Sequence, residues 1–193
     1  MKKKIIIPVA IILVIGLITT VIVINNNNQK NTSSLNTAKE MKTALKNINK
    51  NLGDTLPDLE VTEISSNDSE LVASYTYLSD PSIVESLVVS EPTMSSQAYL
   101  AFILKLKDNT NVENIKEELL NNLDMNRWIC VSAEKIYITN SGNTIFAVMS
   151  FEEWATPVYN EFVKYVDKNI GKTLEKEDED ITLPETNIPQ VIE

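Results

Sequence analysis

Two absences settle first which chemistry the chain can perform. It holds no histidine, so it lacks the commonest general base near neutral pH and the commonest transition-metal ligand. Ser-His-Asp, Cys-His and His-zinc sites are thereby excluded. A single cysteine, Cys130, excludes both an intramolecular disulfide and a thiolate cluster built within one chain. Catalysis would have to run on carboxylates, serine, lysine or tyrosine.

Carboxylates are plentiful. Glu152, Glu153 and Glu161, or Asp80 with Glu85 and Glu91, could supply the paired acids of a glycosidase. None of them is flanked by a Gly-rich turn, and acidic residues are spread over the whole chain, so a solvated acidic surface is the expectation. Residues 175–180 (EKEDED) could attract cations weakly, but a tight calcium loop needs a turn-forming glycine at fixed spacing and has none here. Cys130, in the run Arg127-Trp128-Ile129-Cys130-Val131, is expected in the core, because free cysteine is among the most buried residue types. A reactive thiol would need an electropositive setting, and Arg127, the one arginine of the chain, adjoins it. Trp128 and Trp154, with Tyr75, Tyr77, Tyr99, Phe102 and Phe146, could stack on a carbohydrate, yet their place inside apolar runs points to burial. Residues 90–97 (SEPTMSSQ) form a polar loop that could serve as a binding edge, with Met94 either an exposed contact or tucked under the loop. No catalytic residue, cofactor site or metal site is expected.

The elements that position these residues begin with an anchor. Residues 5–24 (IIIPVAIILVIGLITTVIVI) carry no charge, and at about 1.5 Å per residue they span about 30 Å, the depth of a bilayer core. No small-residue cleavage site follows, so an uncleaved single-pass helix is expected rather than a signal peptide. Neither the processing site nor the early glutamate of a type IV pilin is present. Lys2, Lys3 and Lys4 place residues 1–4 in the cytoplasm and the remainder outside. Beyond Ile24 the chain has 14 basic and 27 acidic residues, a net charge of −13 within an overall −10. Such a surface repels phosphate backbones and anionic lipid headgroups, so nucleic acid is not an expected partner.

Residues 25–34 (NNNNQKNTSS) read as a polar linker. Its sequon at Asn31 and the one at Asn67 are ordinary in an Asn-rich chain. In residues 35–53, Leu35, Ala38, Met41, Leu45, Ile48 and Leu52 lay an apolar stripe along a helix that Gly53 can end. That stripe packs either on its own domain or, as weak self-association over residues 35–52, on a second copy. Strands are predicted at 59–64 and 71–78, a helical turn at 81–86 begun by Asp80-Pro81, and extended chain at 88–89 and 98–107. A helix at 111–125 starts from a Thr110/Glu113 capping box. A hairpin joins 135–139 to 144–150 across residues 140–143, and a last helix runs from Thr156-Pro157 to Gly171 with Val158, Phe162, Val166 and Ile170 as its stripe. Residues 171–193 are charged and poor in apolar residues, and are expected to be a disordered acidic tail.

Helices interrupt the strands rather than alternate with them. The fold class is therefore α+β: after the transmembrane helix, residues 54–170 form an extracytoplasmic two-layer sandwich, a mainly antiparallel sheet with two to three helices on one face. Three segments carry a resemblance as well: residues 77–89 (YLSDPSIVESLVV), 96–108 (SQAYLAFILKLKD) and 142–150 (GNTIFAVMS). Through them the stretch from 56 to about 166 resembles an uncharacterised Firmicutes family of envelope proteins. The resemblance implies an extracytoplasmic domain and brings no activity with it. Family members look to be commonly lipid-anchored through an N-terminal cysteine, and this chain departs from that pattern. The functional expectation is a membrane-anchored, non-enzymatic binding module of a bacterial cell envelope, meeting an envelope protein or wall component. An envelope hydrolase using carboxylate or Ser/Lys chemistry is the alternative.

Overall fold

A computed structural model describes residues 35–94 and 96–178, all within one compact unit. The expected anchor at 5–24, the linker at 25–34 and the acidic residues from 179 onward lie outside the described residues. Among the described residues, no helix is long and apolar enough to cross a membrane.

The chain forms α1 (Ala38–Leu52), β1 (Leu59–Ile64), α2 (Ser69–Thr76), β2 (Val84–Pro92), β3 (Tyr99–Leu106), α3 (Val112–Asn122), β4 (Lys135–Ser141), β5 (Thr144–Ser150), α4 (Glu152–Tyr165) and β6 (Leu174–Glu177). The strands make one six-stranded sheet in the order β1-β2-β3-β5-β4-β6, with every neighbouring pair antiparallel. The fold class is thus α+β, as expected.

The layering differs from expectation. Side chains alternate across a strand, and in β3 and β5 both alternating sets are apolar and buried. Leu100, Phe102, Leu104, Ile145, Ala147 and Met149 meet Val72 of α2 and Ile115 and Leu119 of α3 on one face. Tyr99, Ala101, Ile103, Phe146 and Val148 meet Met41, Ala44, Leu45 and Ile48 of α1 and Ala155, Val158 and Phe162 of α4 on the other. Helices therefore cover both faces, and the two-layer sandwich is corrected to three layers. Phe146 and Phe162 stack across the second interface with centroids 4.1 Å apart. The apolar stripe of α1 is spent inside the domain: Met41, Ala44 and Leu45 are fully buried. Thr37 and Glu40 close a reciprocal cap at its start, and Gly53, at φ +50°, ends it.

Other elements shift for local reasons. Residues 71–78 were expected as a strand but belong mostly to α2. Asp68 accepts the Leu71 N–H at 3.0 Å as an N-cap, and Val72 and Thr76, one turn apart, point into the core. The Thr76 hydroxyl donates to the Val72 carbonyl at 2.8 Å, which hides its polarity, and Tyr77 stops the helix at φ +57°. Asn111 rather than Thr110 caps α3. The turn after Asp80 is only Pro81–Ile83, because Val84 already pairs with Leu106. The hairpin is tighter than expected: Ser141 pairs with Thr144 and leaves two residues, with Gly142 at φ +61°. α4 starts at Glu152, so Pro157 lies inside it. The bond missing at the proline nitrogen is tolerated on a helix held by its buried stripe.

The acidic segment from 171 is not wholly without structure, because β6 pairs with β4. Its anchor is Lys116 of α3, whose side chain is fully buried. The ammonium donates to Asn140 Oδ1 at 2.7 Å and to the Lys172 carbonyl at 2.6 Å, and pairs with Glu113 at 2.8 Å. Three donors meet three acceptors, which is what a buried ammonium needs. Gly171 sits against the same group: a Cβ there would stand 2.2 Å from Asn140 Oδ1. On the outer side Lys135, nearly buried, pairs with Glu177 and, at 3.1 Å, with Glu175. Burial disfavours the Lys135 charge, but hydrogen bonds to both glutamates outweigh it and raise its pKa above the usual lysine value. Replacing Lys116 by methionine leaves Asn140 Oδ1 and the Lys172 carbonyl without their donor, at about 1–3 kcal/mol each. Lys116→Met is expected to speed amide exchange in residues 172–177 while β3 and β5 stay protected. Uniform loss of protection across the sheet would contradict this local role.

Candidate functional site

The paired acids expected from the sequence are not brought together. Glu85 and Glu91 are six residues apart on β2, roughly 20 Å along the strand, and each has its own partner. Glu85 pairs with Lys105 at 2.9 Å, and Glu91 accepts the Tyr75 hydroxyl at 2.8 Å. Asp80 accepts from the Ser82 hydroxyl and N–H, which hold its carboxyl below the ordinary value. Glu161 lies two and a half turns along α4 from Glu152. It is held down by a hydrogen bond from Lys164 and a weaker one from Asn51. Glu152 and Glu153 do border an open notch of about 750 Å³ with Glu134, Phe151, Thr156 and Pro157. There Glu134 is already engaged: its carboxylate accepts the Glu152 N–H at 3.0 Å and caps α4, whose own N-cap residue Phe151 offers no side-chain acceptor. A glycosidase acid must be held protonated by a raised pKa, whereas the carboxyls with a displaced value, Asp80 and Glu161, are both lowered.

At residues 175–178, Glu175 and Glu177 are taken up by Lys135. Among the described residues no group of three Asp, Glu, Cys or His side chains could hold a metal ion. The binding edge expected at 90–97 is shorter than thought. Ser90 is buried within β2 and accepts Asn49 Nδ2 at 2.9 Å, and the strand continues to Pro92. Met94, 63% exposed, lies in the loop that remains.

Cys130 overturns its expectation. It is exposed, at φ +63°, in the loop from α3 to β4. The Ala133 N–H donates to the Met125 carbonyl at 2.8 Å and closes the neck of this loop. Met125 and Ala133 take the buried places, so Ile129 and Cys130 are pushed outward, Ile129 to 83% exposure. Of the aromatic residues, Tyr99, Phe102 and Phe146 are core as expected, while Tyr75, Tyr77, Trp128 and Trp154 are only partly buried.

Three of these partly buried rings surround one cation. The Arg127 guanidinium carbon lies 5.7 Å from the Tyr75 ring centroid, 5.8 Å from Tyr77 and 5.8 Å from Trp128. Each such contact is worth about 0.5–1 kcal/mol when exposed and about 2 when desolvated. α2 delivers Tyr75 and Tyr77 because Val72 and Thr76 bind it to the sheet, and the neck at 125–133 delivers Arg127 and Trp128. The side chain is half-buried, its Nη1 is enclosed without a hydrogen-bond partner, and it forms no ion pair among the described residues. Among the described residues its charge is thus flanked by rings and not matched by a carboxylate. The exposed large apolar side chains among the described residues lie near its segments in the sequence. Leu71, 39% exposed, is one helical turn before Tyr75; Ile129 is two residues beyond Arg127; Met94 follows Glu91, the acceptor of the Tyr75 hydroxyl.

Sequence reasoning singled out Arg127 only as a neighbour of Cys130. Its uniqueness was the available signal, but its ring partners were not visible while 71–78 read as a strand. No family model, curated protein or solved structure matches the chain.

The ring cluster has a titration signature. Burial of the phenol, its hydrogen bond to Glu91 and that carboxylate's charge push Tyr75 up from 10.0 to about 12, against the lowering influence of Arg127. The folded value lies above the unfolded one, so this contribution is complete below pH 10 and is lost as pH rises through about 12. The phenol missing from Tyr75→Phe in a difference titration at alkaline pH should therefore ionise near 12. A missing phenol that ionises near 10 would mean that Tyr75 does not meet Glu91 in this way.

Proposed function

We propose that the chain is a membrane-tethered interaction module that displays its domain on the outer side of a bacterial cell membrane. The uncharged run at 5–24, with Lys2, Lys3 and Lys4 on its short side, supports the tether and its direction. The proposed setting rests on the resemblance read in residues 77–89, 96–108 and 142–150. The binding role rests on one observation: an arginine flanked by three aromatic rings that forms no ion pair among the described residues. Arginine and aromatic side chains are the residue types that dominate binding energy at protein interfaces. An envelope protein or a wall component is the partner class.

The notch at Glu134, Glu152 and Glu153 favours the second reading, an envelope hydrolase. Against it stands the commitment of Glu134 to the helix cap. The module reading also lets the acidic surface act as a solvating coat that limits non-specific adhesion to anionic envelope polymers.

Cys130 is the natural probe of this reading, being the sole thiol and exposed. A membrane-impermeant maleimide added to intact cells should modify it within minutes, and modification only after permeabilisation would overturn the outward placement. A photo-crosslinker carried on the same thiol should yield discrete adducts in native membranes. Their complete absence would count against an interaction role.

A further inference from the structure

We infer that the Arg127 surface takes a peptide segment presenting a single carboxylate between apolar side chains. The inference rests on the interaction-module reading and supplies its ligand chemistry. A guanidinium is charged at every physiological pH, and its planar fork matches the two oxygens of a carboxylate. Arg127 has no such acceptor among the described residues, although Asp124 is close in sequence and Glu91 bonds the neighbouring Tyr75. The rings that flank the cation hold its orientation without neutralising it, so its charge is left for a ligand.

The character of that ligand follows from the surroundings. The net charge of −10 disfavours a polyanion or a dianionic phosphate more than a single carboxylate, which one guanidinium can match. Ile129 at 83% and Leu71 at 39% exposure lie on the two segments that carry the cation and its rings, and they are available for apolar contact with a ligand. The cation and its rings are carried by two separate segments, the loop from α3 to β4 and the helix α2. An extended segment can lie across both, and a small carboxylic acid would leave Ile129 uncovered.

Cys130, three residues beyond Arg127 and exposed, allows the ligand chemistry to be read by disulfide capture on the full-length chain in neutral-lipid nanodiscs. The probes are cysteine peptides with a short glycine spacer that end in a glutamate flanked by leucines, its glutamine counterpart or its phosphoserine counterpart. A fourth probe carries residues 181–193 of this chain. Tethering supplies an effective concentration in the millimolar range, so weak contacts register. The glutamate probe should be retained about ten- to hundredfold more than the glutamine probe under a fixed redox buffer, the range for a charged hydrogen-bonded contact. Arg127→Gln should abolish the preference, and Arg127→Lys should keep only a small part of it. Replacing the flanking leucines by serines should lower retention on the wild-type chain, and Ile129→Ser should do the same with Arg127 intact.

Equal retention of glutamate and glutamine probes would overturn the assignment, as would a preference that survives Arg127→Gln in a chain with an unchanged melting curve. Stronger retention of the phosphoserine probe would reassign the ligand to phosphate. Strongest retention of the 181–193 probe would reassign the surface to the chain's own sequence. If discrete adducts form from Cys130 in native membranes while no carboxylate preference appears, the interaction reading stands and this ligand chemistry fails. If neither appears, both fail.

Discussion

The central strands of this sheet have no polar face. Residues of β3 and β5 alternate between two sides, and on both sides they are apolar and removed from water. A large apolar side chain is worth about 1.5–3 kcal/mol when buried, so neither face can be left to solvent. The chain answers with two helices per face. α1 and α4 close one side, α2 and α3 the other.

That requirement also shapes the surface. α2 is only eight residues long and gains little from local helix formation, so it persists because Val72 and Thr76 are buried on the sheet. Holding α2 there sets Tyr75 and Tyr77 beside the loop that leaves α3. The loop in turn buries Met125 and Ala133 at its neck and exposes its tip. Arg127 thus stands where two structural demands meet, and its ring environment is a consequence of how the first face is covered.

Much of the scaffold was legible from residues alone. β1 has the bounds its pattern suggests, Gly53 ends α1, and Gly142 turns the hairpin. The covering of both faces was legible too, because an uninterrupted apolar run such as YLAFIL signals a strand buried on both sides. The lack of regular helix-strand alternation points instead to helices on one face, and it says nothing of the second layer. At 71–78 the β-favouring Val, Tyr and Thr outweighed the cap at Asp68, since local propensity cannot register contacts with a distant sheet. Cys130 was misplaced for a related reason: its apolar neighbours look like core until the neck at 125–133 shows which of them the core receives. The lock at Lys116 joins α3 to Asn140 and Lys172, and no periodicity in the sequence could reveal it.

The sheet's order has a consequence in time. β4 lies between β5 and β6, and β6 is the last of the described strands to be synthesised. Until residues 172–177 arrive, the backbone donors and acceptors on one side of β4 have no partner, Lys116 lacks the Lys172 carbonyl, and Lys135 lacks the carboxylates of Glu175 and Glu177. A nascent domain therefore carries an open β4 edge and two incompletely held ammonium groups through most of its synthesis. Both are closed in one step, which makes the docking of this acidic strand the event that separates an adhesive intermediate from a finished, solvated surface.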